Sequence, residues 1–303
     1  METLTATDRV QSYVRVARAP FLALPVTLVL LGSATAVLAG GFDPVAAILA
    51  FVGLLSLHVS INARNEYRDY QSGVDEATDN TPFSGGSKTL PEGDLEPVAA
   101  KRLATVTAGI GAVIGGYFIV EVGLLLVPIT ALGAISVLFY TSHLTRFGLG
   151  ELFAGLGLGG LPVLGTGLVQ VGSITPGMLA ASVPATLLTF NLLLLNEFPD
   201  LEADKRGNRR NLIHRFGRPA AGRIYVLAGL GVPLSIVAGW ALGLFPAWAL
   251  LGALPSVILL RPADWAIDRP ESALPVELQR DNVLWILATN TVFALGLLLP
   301  ALS

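Results

Sequence analysis

The chain has 303 residues, of which 53% are hydrophobic and only 14% charged, a balance that excludes a soluble domain whose surface must meet water. The formal net charge of -3 is too small to mark a nucleic-acid partner, and the absence of cysteine excludes disulfides, thiolate nucleophiles and thiolate metal sites. A single integral-membrane domain over residues 1–303 is the organisation these figures predict.

In chain order, Arg9, Arg15 and Arg18 precede an apolar stretch from Phe21 to about Leu38, too long for the core of a secretory signal and read as a first anchor that stays. Further apolar runs of spanning length follow near 44–63, 98–120, 123–141, 152–171, 175–196, 219–242, 246–260 and 284–302. The pattern predicts an all-α polytopic membrane bundle of nine transmembrane helices. Short junctions marked by Gly or Pro, such as Gly40-Gly41-Phe42-Asp43 and Gly243-Leu244-Phe245-Pro246, are expected hairpins on one side of the bilayer. The long polar connections fall on the other side, and with them all 19 Lys and Arg. The positive-inside rule then places the N-terminus and the long loops in the cytoplasm and the C-terminus outside, in a cell membrane. Gly155, Gly159 and Gly160 in the fifth span form a small-residue pattern that lets helices approach closely.

Two polar clusters interrupt this apolar plan. Asn65 and Asp69 close the second span at i and i+4, one turn of about 5.4 Å apart on the same face, and Asp75 follows in the loop. Asn196, Asp200 and Asp204 repeat the spacing at the end of the sixth span, provided that Pro199 does not redirect the helix. The echo suggests two related four-helix halves plus a ninth helix. An oxygen-only ligand set suits a hard cation such as Mg2+, which shares its shell with water and substrate phosphates. Lys88, Lys205, Arg209 and Arg210 stand close in sequence and supply counter-charge for a diphosphate. A solvated helix end is the plain alternative for one Asp-x-x-x-Asp, and the second copy, with Asn at the same offset, weighs against it.

His58, Asn62, Asn65 and Asp69 form one polar stripe that must face the bundle interior. His58 either bonds a substrate or, the reading favoured here, makes an interhelical hydrogen bond. Tyr140 and Arg146 either hold an acceptor or are an interfacial aromatic and a snorkelling arginine. The segment Thr81–Lys88 beside the first cluster is expected to act as a lid over the site.

At these residues the sequence resembles the UbiA superfamily of intramembrane prenyltransferases. The resemblance is carried by Asn65-Glu-Tyr-Arg68-Asp69-Tyr-Gln-Ser-Gly-Val-Asp75, Thr-Pro-Phe-Ser-Gly-Gly-Ser-Lys88 and Asn196-Glu-Phe-Pro-Asp200-Leu-Glu-Ala-Asp204-Lys205. Gly148-Leu-Gly-Glu151 and Leu161-Pro-Val-Leu-Gly-Thr-Gly-Leu-Val-Gln170 are similar to the branch that prenylates 1,4-dihydroxy-2-naphthoate in menaquinone synthesis. The segment Tyr140–Gly148 is shorter than in that family.

The resemblance implies a bundle around a central cavity open to lipid, with Mg2+ as cofactor and with an isoprenyl diphosphate and an aromatic quinone precursor as partners. By position it makes Asn65, Asp69, Asp75, Asn196, Asp200 and Asp204 metal residues. Asp69, Asp200, Lys88 and Tyr140 become the catalytic candidates, and Arg18, Asn62, Asn65, Arg68, Lys88, Tyr140, Arg146, Lys205 and Arg209 the substrate-binding ones. Two alternatives are carried forward: prenyl transfer to a glyceryl phosphate, and a cation-coupled transporter using its intramembrane carboxylates.

Overall fold

The computed structural model describes residues 6–73, 81, 83–139, 144–145, 148–206 and 210–302, and in them every regular element is helical. A short amphipathic helix α1 (Ala6–Val16) leads through a 3-10 turn, Ala19–Leu22, into α2 (Ala23–Leu38). The chain reverses at Gly40–Phe42 into α3 (Pro44–Ser72). That start is set by Asp43, whose side chain accepts from the Val45 and Ala46 amides at 2.9 and 3.0 Å, with Pro44 in the first turn where no donor is needed. Gly73, at φ 71, ends α3 in the left-handed conformation that glycine adopts without penalty. The first polar cluster thus lies in the last two turns of a continuous 29-residue helix.

Next come α4 (Pro97–Val122) and α5 (Val127–Phe139), the latter entered through Leu124–Leu126. The following span is a composite in which α6 (Gly150–Gly155) passes through a π turn, Leu156–Gly160, into α7 (Leu161–Val171). Its glycines make the close approach expected of them. A Cβ built at Gly155 would stand 2.7 Å from the Thr186 carbonyl oxygen, and one at Gly159 would collide with the Ala185 carbonyl. The partner in that approach is α8 (Pro176–Asn196). Two short helices follow, α9 (Leu201–Arg206) and α10 (Leu212–Phe216), and then α11 (Arg218–Ala241). A 3-10 stretch over Ala247–Leu259 continues as α12 (Leu260–Asp268), and α13 (Val276–Leu302) closes the bundle.

Eight of these helical stretches among the described residues are long and apolar enough to cross a membrane, so the chain is a multi-pass membrane protein. The fourth predicted span appears as the shorter apolar helix Leu124–Ser136, so the count of nine is not reached by the described residues. The buried core joins α2, α8, α11 and α13 around Leu28, Leu188, Tyr225 and Trp285. By contrast α4 packs mainly on α3 and turns Val113 and Val120, 74% and 82% exposed, outward, as a helix facing lipid should.

Two boundaries differ from expectation. Residues 196–204 are not one helix: α8 stops at Asn196 and α9 restarts at Leu201, because Pro199 has no amide to donate and its ring clashes with the preceding turn. The last helix begins at Val276, eight residues before the expected 284, because its first turns carry Gln279, Asp281 and Asn282, polar residues that the bundle buries.

Candidate functional site

One end of the bundle holds a cavity of about 210 Å³. The cytoplasm-facing turns predicted for α3 and α8 meet there, for Asn65 and Asp69 line it from one side and Asn196, Asp200 and Asp204 from the other. Arg18, Asn62 and His58 line it too. Of the remaining candidates, Arg68, Lys88 and Lys205 are not among the lining residues, and Asp75, Tyr140, Arg146 and Arg209 lie outside the described residues. The break at Pro199 therefore does not separate the three residues of the second cluster. The Asp204 amide donates to the Asp200 carbonyl at 2.8 Å, which carries the turn round into α9.

Three acidic residues that spacing did not single out are built into the same site. Glu66, only 2% exposed, accepts from the Ser87 amide at 2.9 Å, from the Ser87 hydroxyl at 2.6 Å and from Arg18 Nε at 3.2 Å. Arg18 is held in the left-handed region at φ 53, a conformation that costs a non-glycine residue energy and that this ion pair offsets. Glu151, fully buried at the start of α6, accepts from the Leu212 amide, the first donor of α10. Glu197 faces Glu151. Burial holds the Glu197 carboxyl well above the usual carboxylate range, and Glu151, Asp204 and Asp200 push it further the same way. The only sequence signal for Glu66 and Glu197 was that each directly follows the Asn of a cluster.

The segment 83–89 is tied down at both margins rather than standing free. Ser87 bonds Glu66, while Gln279, 1% exposed in the first turn of α13, accepts from the Thr81 hydroxyl at 3.1 Å and donates to the Ser84 hydroxyl at 3.3 Å. A longer contact of 3.4 Å runs from Gln279 Nε2 to Asn196 Oδ1, so the last helix reaches both halves of the site. Ser84, Gly85 and Gly86 form part of the cavity wall. At the other loop, Asn211 donates to Asp204 at 3.1 Å and accepts from the His214 amide at 3.0 Å.

His58 departs from the favoured reading, because its Nδ1 pairs with the Leu54 carbonyl of its own helix at 3.0 Å, and not with a neighbouring helix. Its Nε2 has no partner among the described residues. The apolar part of the cavity lining includes Phe21, Leu24, Ile61, Phe153, Leu158 and Leu192.

The charge balance of the cavity fits a divalent cation. Among the described residues six carboxyl groups line it, and Arg18 is the one lysine or arginine that does, already engaged with Glu66. Anionic groups gathered out of water require compensation, and oxygen donors of this kind suit a hard ion. No three of the described acidic or histidine side chains are grouped closely enough to hold an ion by themselves.

The UbiA prenyltransferase family matches residues 23–285. The chain is 24% identical over 302 residues to the 1,4-dihydroxy-2-naphthoate octaprenyltransferase of Escherichia coli K12, covering 96% of each chain. Its fold is similar to the apo structure of a UbiA homologue from Aeropyrum pernix K1, with a TM-score of 0.68 at 16% identity over 93% of this chain and 98% of that one. It is also similar to a UbiA homologue from Archaeoglobus fulgidus bound to GPP and Mg2+, with a TM-score of 0.63 at 14% identity over 93% of this chain and 99% of that one.

Proposed function

The chain belongs to the UbiA prenyltransferase family, and from that premise we propose that it transfers an isoprenyl chain from its diphosphate to an aromatic quinone precursor, 1,4-dihydroxy-2-naphthoate being the favoured acceptor. The observation that carries this reading is the convergence of Asn65 and Asp69 with Asn196, Asp200 and Asp204 on one cavity beneath an acidic rim. Membership of an enzyme family sets aside the transporter alternative, and the placing of the carboxylates at helix ends agrees with that.

In this reading Asn65, Asp69, Asn196, Asp200 and Asp204 would hold Mg2+ together with the phosphate oxygens of the donor, and Asp75 would join them from the loop. Bound there, the ion offsets the charge that develops on the leaving diphosphate. Arg18, which lines the cavity beside Glu66, would add positive charge for the same headgroup, and Lys88, Lys205 and Arg209, near the two clusters in sequence, would add to it. As the allylic C–O bond breaks, both electrons leave with the diphosphate and an allylic cation remains. The apolar walls keep water away from that cation. A ring carbon of the acceptor supplies the pair for the new C–C bond, and loss of a proton, or of carbon dioxide from a carboxylated ring, restores aromaticity. Tyr140 and Arg146 are placed by this proposal at the acceptor. The N-terminus and the site loops face the cytoplasm, in line with the one-sided distribution of Lys and Arg.

The test is purified protein with Mg2+ and geranyl or geranylgeranyl diphosphate, offered aromatic and glyceryl-phosphate acceptors, with products identified by mass. Prenylated naphthoate that disappears with chelator, and falls by about 100-fold or more in Asp69→Ala and Asp200→Ala, is the expected result. Full activity in those variants would refute the assigned roles, and a prenylated glyceryl phosphate would replace the acceptor.

A further inference from the structure

Two polar atoms in the lower cavity are left over when the donor site has been assigned. His58 stands seven residues before Asn65 on α3, and Thr189 stands seven residues before Asn196 on α8. The matching offsets put both side chains on two different walls at one level, roughly 10 Å beneath the metal cluster. Both line the cavity, both are buried, at 5% and 2% exposure, and His58 Nε2 and Thr189 Oγ1 have no hydrogen-bond partner among the described residues. Among the described residues Thr289 is the other threonine in this state, and it does not line the cavity. Thr107, Thr130 and Thr186 each turn the hydroxyl back to the carbonyl four residues earlier.

The chemistry of the pair is constrained. A carbonyl oxygen only accepts, so the contact with Leu54 means that His58 Nδ1 carries the proton and Nε2 presents a lone pair. That lone pair calls for an O–H or N–H donor. The hydrocarbon tail of the donor substrate offers none, and laying it there would leave two buried polar atoms unsatisfied, which is costly. The walls between this level and the metal cluster include Ile61, Phe153 and Leu192, suited to the faces of a flat ring.

We propose that His58 and Thr189 form the acceptor-recognition floor of the site, taking a ring hydroxyl of the aromatic substrate so that Nε2 accepts its hydrogen. The inference rests on the aromatic-acceptor reading above. It makes His58 a group that touches substrate, increases the electron density of the ring as it draws on the hydroxyl hydrogen, and keeps the prenyl tail out of this part of the cavity.

Binding without turnover tests it. Wild-type protein, free of donor, is titrated with 1,4-dihydroxy-2-naphthoate and with its di-O-methyl ether, which lacks the hydroxyl hydrogens. The wild type should prefer the dihydroxy compound by about 10-fold, the worth of one such bond. His58→Leu should bind the two alike, and His58→Gln, which retains an acceptor oxygen, should recover part of the preference. In turnover, His58→Leu should raise the acceptor KM and leave the donor KM unchanged. A preference for the dihydroxy compound that survives in His58→Leu and in Thr189→Val overturns the inference. If His58→Leu does not fold, Thr189→Val reads the same contact from the facing helix. Failure of the underlying reading looks different: a wild type that prenylates none of the aromatic compounds removes the acceptor class itself.

Discussion

Glu66 and Glu197 occupy equivalent places, each following the asparagine of a cluster, yet the protein treats them in opposite ways. Glu66 has a cation and two hydroxyl or amide donors from Arg18 and Ser87, whereas Glu197 meets a second carboxyl group. Burial and its acidic neighbours hold Glu197 toward the protonated form, so the acidic groups left on the α8 side to draw a metal ion are Asp200 and Asp204. Truncating Glu66 should strand Arg18 and release Ser87. Glu66→Ala is expected to cost about 3 kcal/mol, read as a lowered unfolding midpoint in detergent, with the partly solvated Arg18 end keeping the loss from being larger. At this scale the sequence was legible where spacing repeats, at Asn65, Asp69, Asn196, Asp200 and Asp204. Glu151 was legible as part of the Gly148–Glu151 motif but not as a neighbour of Glu197, a place it reaches because α6 packs on α8. Lys88 and Lys205 were legible as charges near the motifs but not as lining groups, since neither position says where a long side chain ends.

Among the elements, the break between α8 and α9 and the early start of α13 shape the site most. Pro199 lets the chain turn within four residues of Asn196, bringing Asp204 back over the cavity, where Asn211 bonds it. In Pro199→Ala the helix should run on and swing Asp204 away, so prenyl transfer should fall by about 10-fold or more while helix content by circular dichroism is unchanged. Spacing alone could not decide whether that proline kinks or ends a helix. The first turns of α13 were read as a loop because Gln279, Arg280, Asp281 and Asn282 are polar, and burial of Gln279 against Thr81 and Ser84 depends on partners nearly two hundred positions away. Gln279→Ala should speed amide hydrogen exchange over residues 83–89 relative to wild type, and an unchanged rate would show that Glu66 alone holds the segment.

For the molecule as a whole, the apolar runs sufficed to place the spans, because a bilayer demands length and hydropathy before anything else. They did not fix the number in the described residues, since Leu124–Ser136 is apolar but short. The polar residues of the site stand at helix ends, and the core of α2, α8, α11 and α13 meets the apolar cavity wall at Leu24 and Leu192. Chelation should accordingly abolish prenyl transfer and leave the circular dichroism spectrum intact, with activity returning when Mg2+ is restored. Loss of helical signal on chelation would mean that the ion holds up the fold.

The mooring of Ser84–Ser87 to α3 on one margin and to α13 on the other has a consequence for traffic. Under the proposed function, a roof fastened on two sides would leave the flank that faces the acyl chains as the way in for a greasy tail and the way out for the finished molecule. Substrate and product would then change hands without the hydrocarbon ever being wetted, and turnover would answer to the fluidity of the surrounding lipid more than to any hinge in the protein.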